Sequence, residues 1–296
     1  MATTDRGEIS TGEVAANGLT FGTLEVGSGP LALCLHGFPD SAHTWRHLLP
    51  ALADAGFRAV APFMRGYAPT DVPADGCFST GALIADVDAL HDALEADENA
   101  VLIGHDWGAI AAYGAGAHAP ARWRRLVTLA IPPPALDPVL AQDFEQLKMF
   151  FYGFIFLMPE AEELVAADGM AFLDRLWAEW SPGYDATGDM DHVRACLGDP
   201  ANLAAALGYY RASMGAAVVG CDDYATQQTA LGRTAPQPTL YLHGERDGCV
   251  SSKFVAAAAE HLAAGSRASI VDSVGHFLHL EQPERIDESI LSWLTD

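Results

Sequence analysis

Short apolar runs separated by helical patterns dominate the chain up to residue 131 and return after residue 235. Apolar runs lie at residues 30–35, 57–64, 100–103 and 126–131, and two further strands are predicted at 238–243 and 268–272. A strand that is apolar at every position must be buried on both faces, which is typical of a parallel sheet with helices on either side. The runs therefore predict an α/β fold with a mostly parallel central sheet, preceded by an antiparallel edge hairpin around residues 19–26.

The intervals between the runs carry helical signals. Apolar residues recur at helical spacing in 83–94, 254–262 and 286–294, and a further helix is predicted over 107–118. Ser79 supplies an N-cap for the first of these helices. This alternation of strand and helix supports parallel strand pairing through crossover helices.

Residues 132–235 break the alternation. No strand pattern is convincing there, and aromatic side chains crowd the segment. We interpret it as a helical cap inserted into an α/β core and lying over the ends of the strands. The predicted core is therefore residues 1–131 and 236–296, and the predicted cap is residues 132–235.

The third apolar run ends in Gly104-His105-Asp106-Trp107-Gly108. A sharp turn from strand to helix needs small residues on either side, and it exposes the central side chain at the top of the sheet. Asp106 occupies the position that a serine nucleophile holds in the Gly-x-Ser-x-Gly form of this turn. The alternative is an ordinary aspartate that caps the following helix.

Two later residues favour the catalytic interpretation. A nucleophile of this kind is followed along the chain by an acid and then by a histidine. Asp247 follows the run at 238–243, and His276 follows the run at 268–272, so each lies just past the carboxyl end of a strand. Glu245 is the alternative acid, and His279 is the alternative base.

These segments resemble motifs of one superfamily. They are His36-Gly37-Phe38-Pro39, Met64-Arg65-Gly66-Tyr67, the turn at Asp106, Gly244-Glu245-Arg246-Asp247 and Gly275-His276-Phe277. The sequence resembles the α/β-hydrolase superfamily and, within it, the soluble epoxide hydrolases, over nearly the whole chain. The resemblance implies an epoxide hydrolase in which Asp106 is the nucleophile, and in which His276, oriented by Asp247, activates water.

The same resemblance implies further site residues. The backbone N–H groups of Phe38 and Trp107 would stabilise an oxyanion, and both residues would line the substrate site. Two cap tyrosines, Tyr152 and Tyr210, would bind the epoxide oxygen and protonate it. Tyr209 is the neighbour that could replace Tyr210. The segment after Tyr152 has Leu157 where the family usually has Gln.

Other functions were weighed against this one. A haloalkane or haloacid dehalogenase uses the same aspartate, but its halide needs side-chain donors, and Phe38 offers none beside Trp107. Fluoroacetate dehalogenases carry Arg after the nucleophile, where this chain has Trp107. A serine esterase is disfavoured by Asp106 itself. A ligand-binding relative without turnover is the alternative from another class.

Charge and cysteine content limit the partners. The net charge of −23 would repel nucleic acid. The N-terminus lacks the apolar segment of a signal peptide, and the run at 149–158 is too short to span a membrane. The five scattered cysteines are expected to be buried, reduced thiols in a bacterial cytoplasm, without metal-ligand spacing. The expected partners are a small epoxide and water, with no cofactor or metal, and a homodimer is allowed.

Overall fold

One sheet organises the computed structural model, which describes residues 7–215 and 221–295. The strands are β1 (Ser10–Ala16), β2 (Leu19–Gly27), β3 (Leu31–Leu35), β4 (Arg58–Pro62), β5 (Val101–His105), β6 (Arg125–Leu129), β7 (Thr239–Gly244) and β8 (Arg267–Val271). Their order in the sheet is β1-β2-β4-β3-β5-β6-β7-β8. The β1–β2 and β2–β4 pairs are antiparallel, and every later pair is parallel. The predicted α/β fold is confirmed. The antiparallel edge hairpin is present, but residues 19–26 form only its second strand, β2, and its first strand is β1.

Helices connect the strands and cover both faces of the sheet. They are α1 (Leu48–Asp54), α2 (Thr80–Ala93), α3 (Trp107–His118), α4 (Asp137–Leu140), α5 (Phe144–Met149), α6 (Phe151–Ile155), α7 (Ala161–Trp180), α8 (Thr187–Leu197), α9 (Pro200–Ser213), α10 (Ala225–Ala230), α11 (Val255–Ala259), α12 (Leu278–Glu281) and α13 (Pro283–Thr295). The Ser79 side chain accepts a hydrogen bond from the backbone N–H of Ala82, so it caps α2 as its sequence position predicts.

Burial explains the apolar runs. Strands β3, β5 and β7 are buried at every residue, because neighbouring strands and helices surround them. The last strand, β8, lies at the edge of the sheet and is largely exposed. The carboxyl ends of β3, β5 and β7 meet at one edge of the sheet, where ligands of open α/β sheets bind.

Between β6 and β7, the described residues form helices α4 to α10 and no strand. Helix α7 is interrupted at residues 167–170, where three consecutive residues have positive φ. Helix α10 packs against α2 and α3 of the core, and Gln228 Oε1 accepts the Gly81 N–H at 2.7 Å. None of the described helices is both long and apolar enough to cross a bilayer.

A disulfide joins Cys77, in the loop before α2, to Cys221, which precedes α10. The interpretation of all five cysteines as reduced thiols is therefore wrong for this pair. The cysteines are 144 residues apart, and they meet because α10 folds back onto α2. Cys34, Cys196 and Cys249 are free and buried.

Replacing both Cys77 and Cys221 by Ser should lower the free energy of unfolding by up to about 5 kcal/mol, since the bond closes a long loop in the unfolded chain. Urea unfolding with and without reductant measures the effect. The wild type should lose the same amount when reduced, whereas the double variant should not respond to reductant. A wild-type midpoint that is insensitive to reductant would contradict the prediction.

Candidate active site

The turn between β5 and α3 carries Asp106 in a backbone conformation that few residues adopt, with φ 52° and ψ −121°. The two flanking glycines make this turn possible. A Cβ at Gly104 would collide with the carbonyl oxygen of Gly108, and a Cβ at Gly108 would collide with that of Leu35. The turn therefore holds the Asp106 carboxylate at the carboxyl edge of the sheet, where the sequence places it.

Backbone groups on both sides of the carboxylate are positioned to stabilise negative charge. Asp106 Oδ1 accepts the Phe38 N–H at 2.8 Å. Trp107 is the first residue of α3, and the amides of the first helical turn have no acceptor within the helix. Asp106 is only 5% exposed, and burial alone would raise its pKa. The charge of the nearby His276 outweighs burial and lowers the pKa of Asp106 below its ordinary value.

His276 lies between two carboxylates. Its Nδ1 is 2.9 Å from Asp247 Oδ2, and its Nε2 is 3.7 Å from Asp106 Oδ2. Asp247 Oδ1 in turn accepts the N–H groups of Cys249 and Val250. Burial opposes a charged imidazole, but the two carboxylates raise the pKa of His276 to about 10. The two carboxylates therefore favour the charged imidazolium.

The alternative acid and base point elsewhere. Glu245 is exposed, and its carboxylate accepts the Ser273 N–H at 3.0 Å. His279 Nε2 lies 2.6 Å from Thr44 Oγ1, away from Asp106. The geometry thus favours Asp247 and His276 among the sequence candidates.

The two predicted tyrosines contact each other beside Trp107. Tyr152 on α6 and Tyr210 on α9 have ring centroids 5.7 Å apart, and Tyr210 also packs on Phe38 and Trp107. Burial raises the pKa of both phenols well above 10, and the Asp106 carboxylate raises that of Tyr210 further. Both therefore stay protonated.

Tyr209, the neighbour of Tyr210, points to the core instead. Its hydroxyl donates to the Arg65 carbonyl oxygen at 2.7 Å. Successive helical residues point about 100° apart on α9, so only one of the two tyrosines can face the carboxylate. In this structure that residue is Tyr210.

Two contacts of the site were not predicted from the sequence. The Cys249 Sγ lies 3.2 Å from the Tyr152 hydroxyl, and burial raises the pKa of this thiol well above its usual range. The Trp180 carbonyl oxygen, at the end of α7, accepts the N–H groups of His276 and Gly248. Cys249 follows Asp247 by two residues, but no sequence pattern indicates that its side chain turns inward.

Aromatic packing ties the end of α7 to the histidine loop as well. The rings of Trp177 and Phe277 stack with centroids 3.4 Å apart, and Trp177 Nε1 donates to the Pro39 carbonyl oxygen. The Ser181 Oγ accepts the Phe277 N–H at 3.0 Å. Residues 177–181 therefore contact the loops of both His276 and Asp247.

Known proteins resemble this chain over nearly its full length. An epoxide hydrolase of Caballeronia sordidicola is 29% identical, with 97% of this chain and 94% of that protein covered. Epoxide hydrolase A of Mycobacterium tuberculosis is 30% identical, with 95% and 96% covered. The crystal structure of epoxide hydrolase A from Mycobacterium thermoresistibile is 25% identical, covers 97% of this chain and 98% of that one, and has a TM-score of 0.78.

The family model of the α/β hydrolase fold matches residues 30–283. That match spans most of the chain and includes the segments that carry Phe38, Asp106, Asp247 and His276. This chain therefore belongs to the α/β-hydrolase family.

Proposed function

We propose that this protein is an epoxide hydrolase that converts an epoxide into a vicinal diol through an ester on Asp106. The observation that carries the proposal is the buried Asp106 carboxylate beside a histidine bound to Asp247, with Tyr210 packed on Trp107 and Tyr152 packed on Tyr210. The names of the relatives support the same activity.

In the first step, an Asp106 carboxylate oxygen attacks one epoxide carbon, and the bond from that carbon to the epoxide oxygen breaks. Tyr152 and Tyr210 bind the epoxide oxygen as negative charge develops on it, and one of them donates a proton. The product of this step is a hydroxyalkyl ester of Asp106.

In the second step, His276 accepts a proton from water, and the hydroxide attacks the ester carbonyl carbon. The N–H groups of Phe38 and Trp107 stabilise the oxyanion before the ester bond breaks and the diol leaves. Esterification removes the negative charge of Asp106, which is one cause of the raised pKa of His276. The imidazolium then returns its proton to the tyrosinate left by the first step, and the neutral histidine can accept the proton from water. The departing alkoxide takes the proton of the new Asp106 carboxyl, which restores the starting charges.

A single turnover in ¹⁸O-water, with enzyme in excess, tests the covalent route. The first diol should carry an unlabelled oxygen from Asp106, and the label should enter the carboxylate. Label in the diol of that first turnover would mean that water attacks the epoxide directly.

Replacing Tyr152 and Tyr210 together by Phe should lower kcat by at least about 10³-fold, because general acid catalysis contributes about 10²–10⁴-fold. Tyr209→Phe is the matched control. It removes a hydroxyl that lies on the same helix as Tyr210 but bonds only to the Arg65 carbonyl oxygen of the core. Most turnover should therefore remain. An equal loss of turnover in the control would contradict the assignment.

A dehalogenase remains the second candidate because Trp107 follows the nucleophile. Phe38 packs against Tyr210 and Phe156 and offers no side-chain donor for a halide. Halide release from haloalkanes, compared with diol formation from epoxides, separates the two activities.

The finer predictions about the cellular setting remain proposals. Lysine-poor composition supports a bacterial source. A cytoplasmic location is supported by the three free thiols, whereas the Cys77–Cys221 bond argues against it, since cytosol keeps thiols reduced. Alkylation of free thiols in intact cells would show whether the Cys77–Cys221 bond forms there, and so would test the cytoplasmic location. Sedimentation would test for a homodimer.

A further inference from the structure

A second cluster of polar side chains lies behind the catalytic histidine. Asp40 follows the Phe38 loop, His105 directly precedes Asp106, and His279 lies on α12. The three residues are 2%, 0% and 3% exposed, respectively. The proposed reaction uses none of them.

One potential ligand atom from each of the three residues lies within 4.8 Å of the other two. Asp40 Oδ2, His105 Nδ1 and His279 Nδ1 are all buried without a hydrogen-bond partner. A buried polar atom without a partner is costly, and three of them at one place indicate an occupant.

The remaining polar atoms of the cluster are fixed by other groups. His105 Nε2 lies 3.0 Å from the His276 carbonyl oxygen, which can only accept, so Nε2 carries the hydrogen. In a neutral ring that carries its hydrogen on Nε2, the other nitrogen, Nδ1, holds a lone pair. His279 Nε2 pairs with Thr44 Oγ1, and Asp40 Oδ1 accepts the Ser41 N–H.

This pattern matches the surroundings of metal ligands, whose second nitrogen donates to a carbonyl or hydroxyl oxygen. A divalent cation pairs with all three, and two imidazoles with one carboxylate are ligands that Zn²⁺ accepts. The nearby Arg46 is neutralised by Asp189 at 2.6 Å.

We propose that Asp40, His105 and His279 form a buried site for a divalent transition-metal ion, with Zn²⁺ as the natural occupant. The site is separate from Asp106 and does not depend on the proposed hydrolysis. It contacts the catalytic centre through the bond from His105 to the His276 backbone.

Metal content and cobalt spectroscopy test the proposal without an activity assay. The full chain is produced in zinc-supplemented medium, since an enclosed site fills most readily during folding, and is also incubated with Zn²⁺ or Co²⁺ after chelation. We expect one Zn²⁺ per chain, and visible Co²⁺ bands without a sulfur charge-transfer band. Zn²⁺ should also raise the thermal midpoint.

Two variants on different elements locate the ion. Asp40→Asn and His279→Gln should each weaken Zn²⁺ binding by at least about 100-fold, the upper end for loss of an outer-shell partner. The matched control is Cys249→Ala, because Asp106, Cys249 and His276 form the other group of potential ligands among the described residues. The control should keep the full stoichiometry.

Three results would overturn the proposal. The first is a wild type that holds no stoichiometric metal after either loading. The second is binding that survives in both ligand variants. The third is binding that is lost in Cys249→Ala, which would place the ion at the catalytic centre instead.

Discussion

Replacing His276 by Gln should convert the protein into a stoichiometric trap for its substrate. Ring opening by Asp106 does not need a base, whereas ester hydrolysis does, so the ester should accumulate after one turnover. Steady-state turnover should fall by about 10⁴-fold or more, as for loss of a base that acts with its nucleophile. Intact-mass spectrometry should show the protein plus one substrate mass.

The assay is best run above neutral pH. Burial raises the pKa of Asp106, and in this variant the charge of His276 no longer opposes that shift. His118→Gln, which removes a histidine paired with Asp88 away from the site, is the control and should turn over normally. Normal turnover by His276→Gln would show that another group is the base.

Replacing Asp106 by Ala should abolish diol formation, with kcat lowered by about 10⁵-fold or more, because no second carboxylate can take its place. The variant should also form no adduct with the epoxide. Product analysis and intact mass together measure both outcomes.

The same variant should change the titration of His276. With Asp106 gone, one of the two carboxylates that stabilise the imidazolium is lost, so the pKa of His276 should fall from about 10. NMR of the imidazole measures the shift. Glu245→Gln is the control, because the Glu245 carboxylate accepts the Ser273 N–H. An unchanged pKa would mean that Asp247 alone holds the charge.

The core of the fold could be predicted because burial on both faces leaves a direct mark on sequence. Every residue of β3 and β5 is buried, so both strands are apolar except for His105 at the end of β5. The order of Asp106, Asp247 and His276 could be predicted for a related reason. Each follows a strand, and the carboxyl ends of parallel strands share one edge.

Contacts that depend on side-chain direction could not be predicted in the same way. Whether Tyr209 or Tyr210 faces the site depends on the rotation of α9, which the sequence leaves open. Cys249 turns inward because Asp247 bonds its backbone N–H, and the Cys77–Cys221 pair depends on how α10 packs. The unpaired atoms of Asp40, His105 and His279 could not be predicted either, because they depend on where every neighbouring hydrogen-bond donor and acceptor lies in the folded chain.

The attachment of α7 to the histidine loop also limits how specificity can be redesigned. Residues 177–181 bond and stack with the loops of His276 and Asp247, although they belong to the predicted cap. A chimera that takes all of residues 132–235 from a relative would therefore also replace the residues that support the proposed general base, His276. Grafts confined to α4–α6 and α8–α9 should change substrate preference while leaving the protonation behaviour of the base intact.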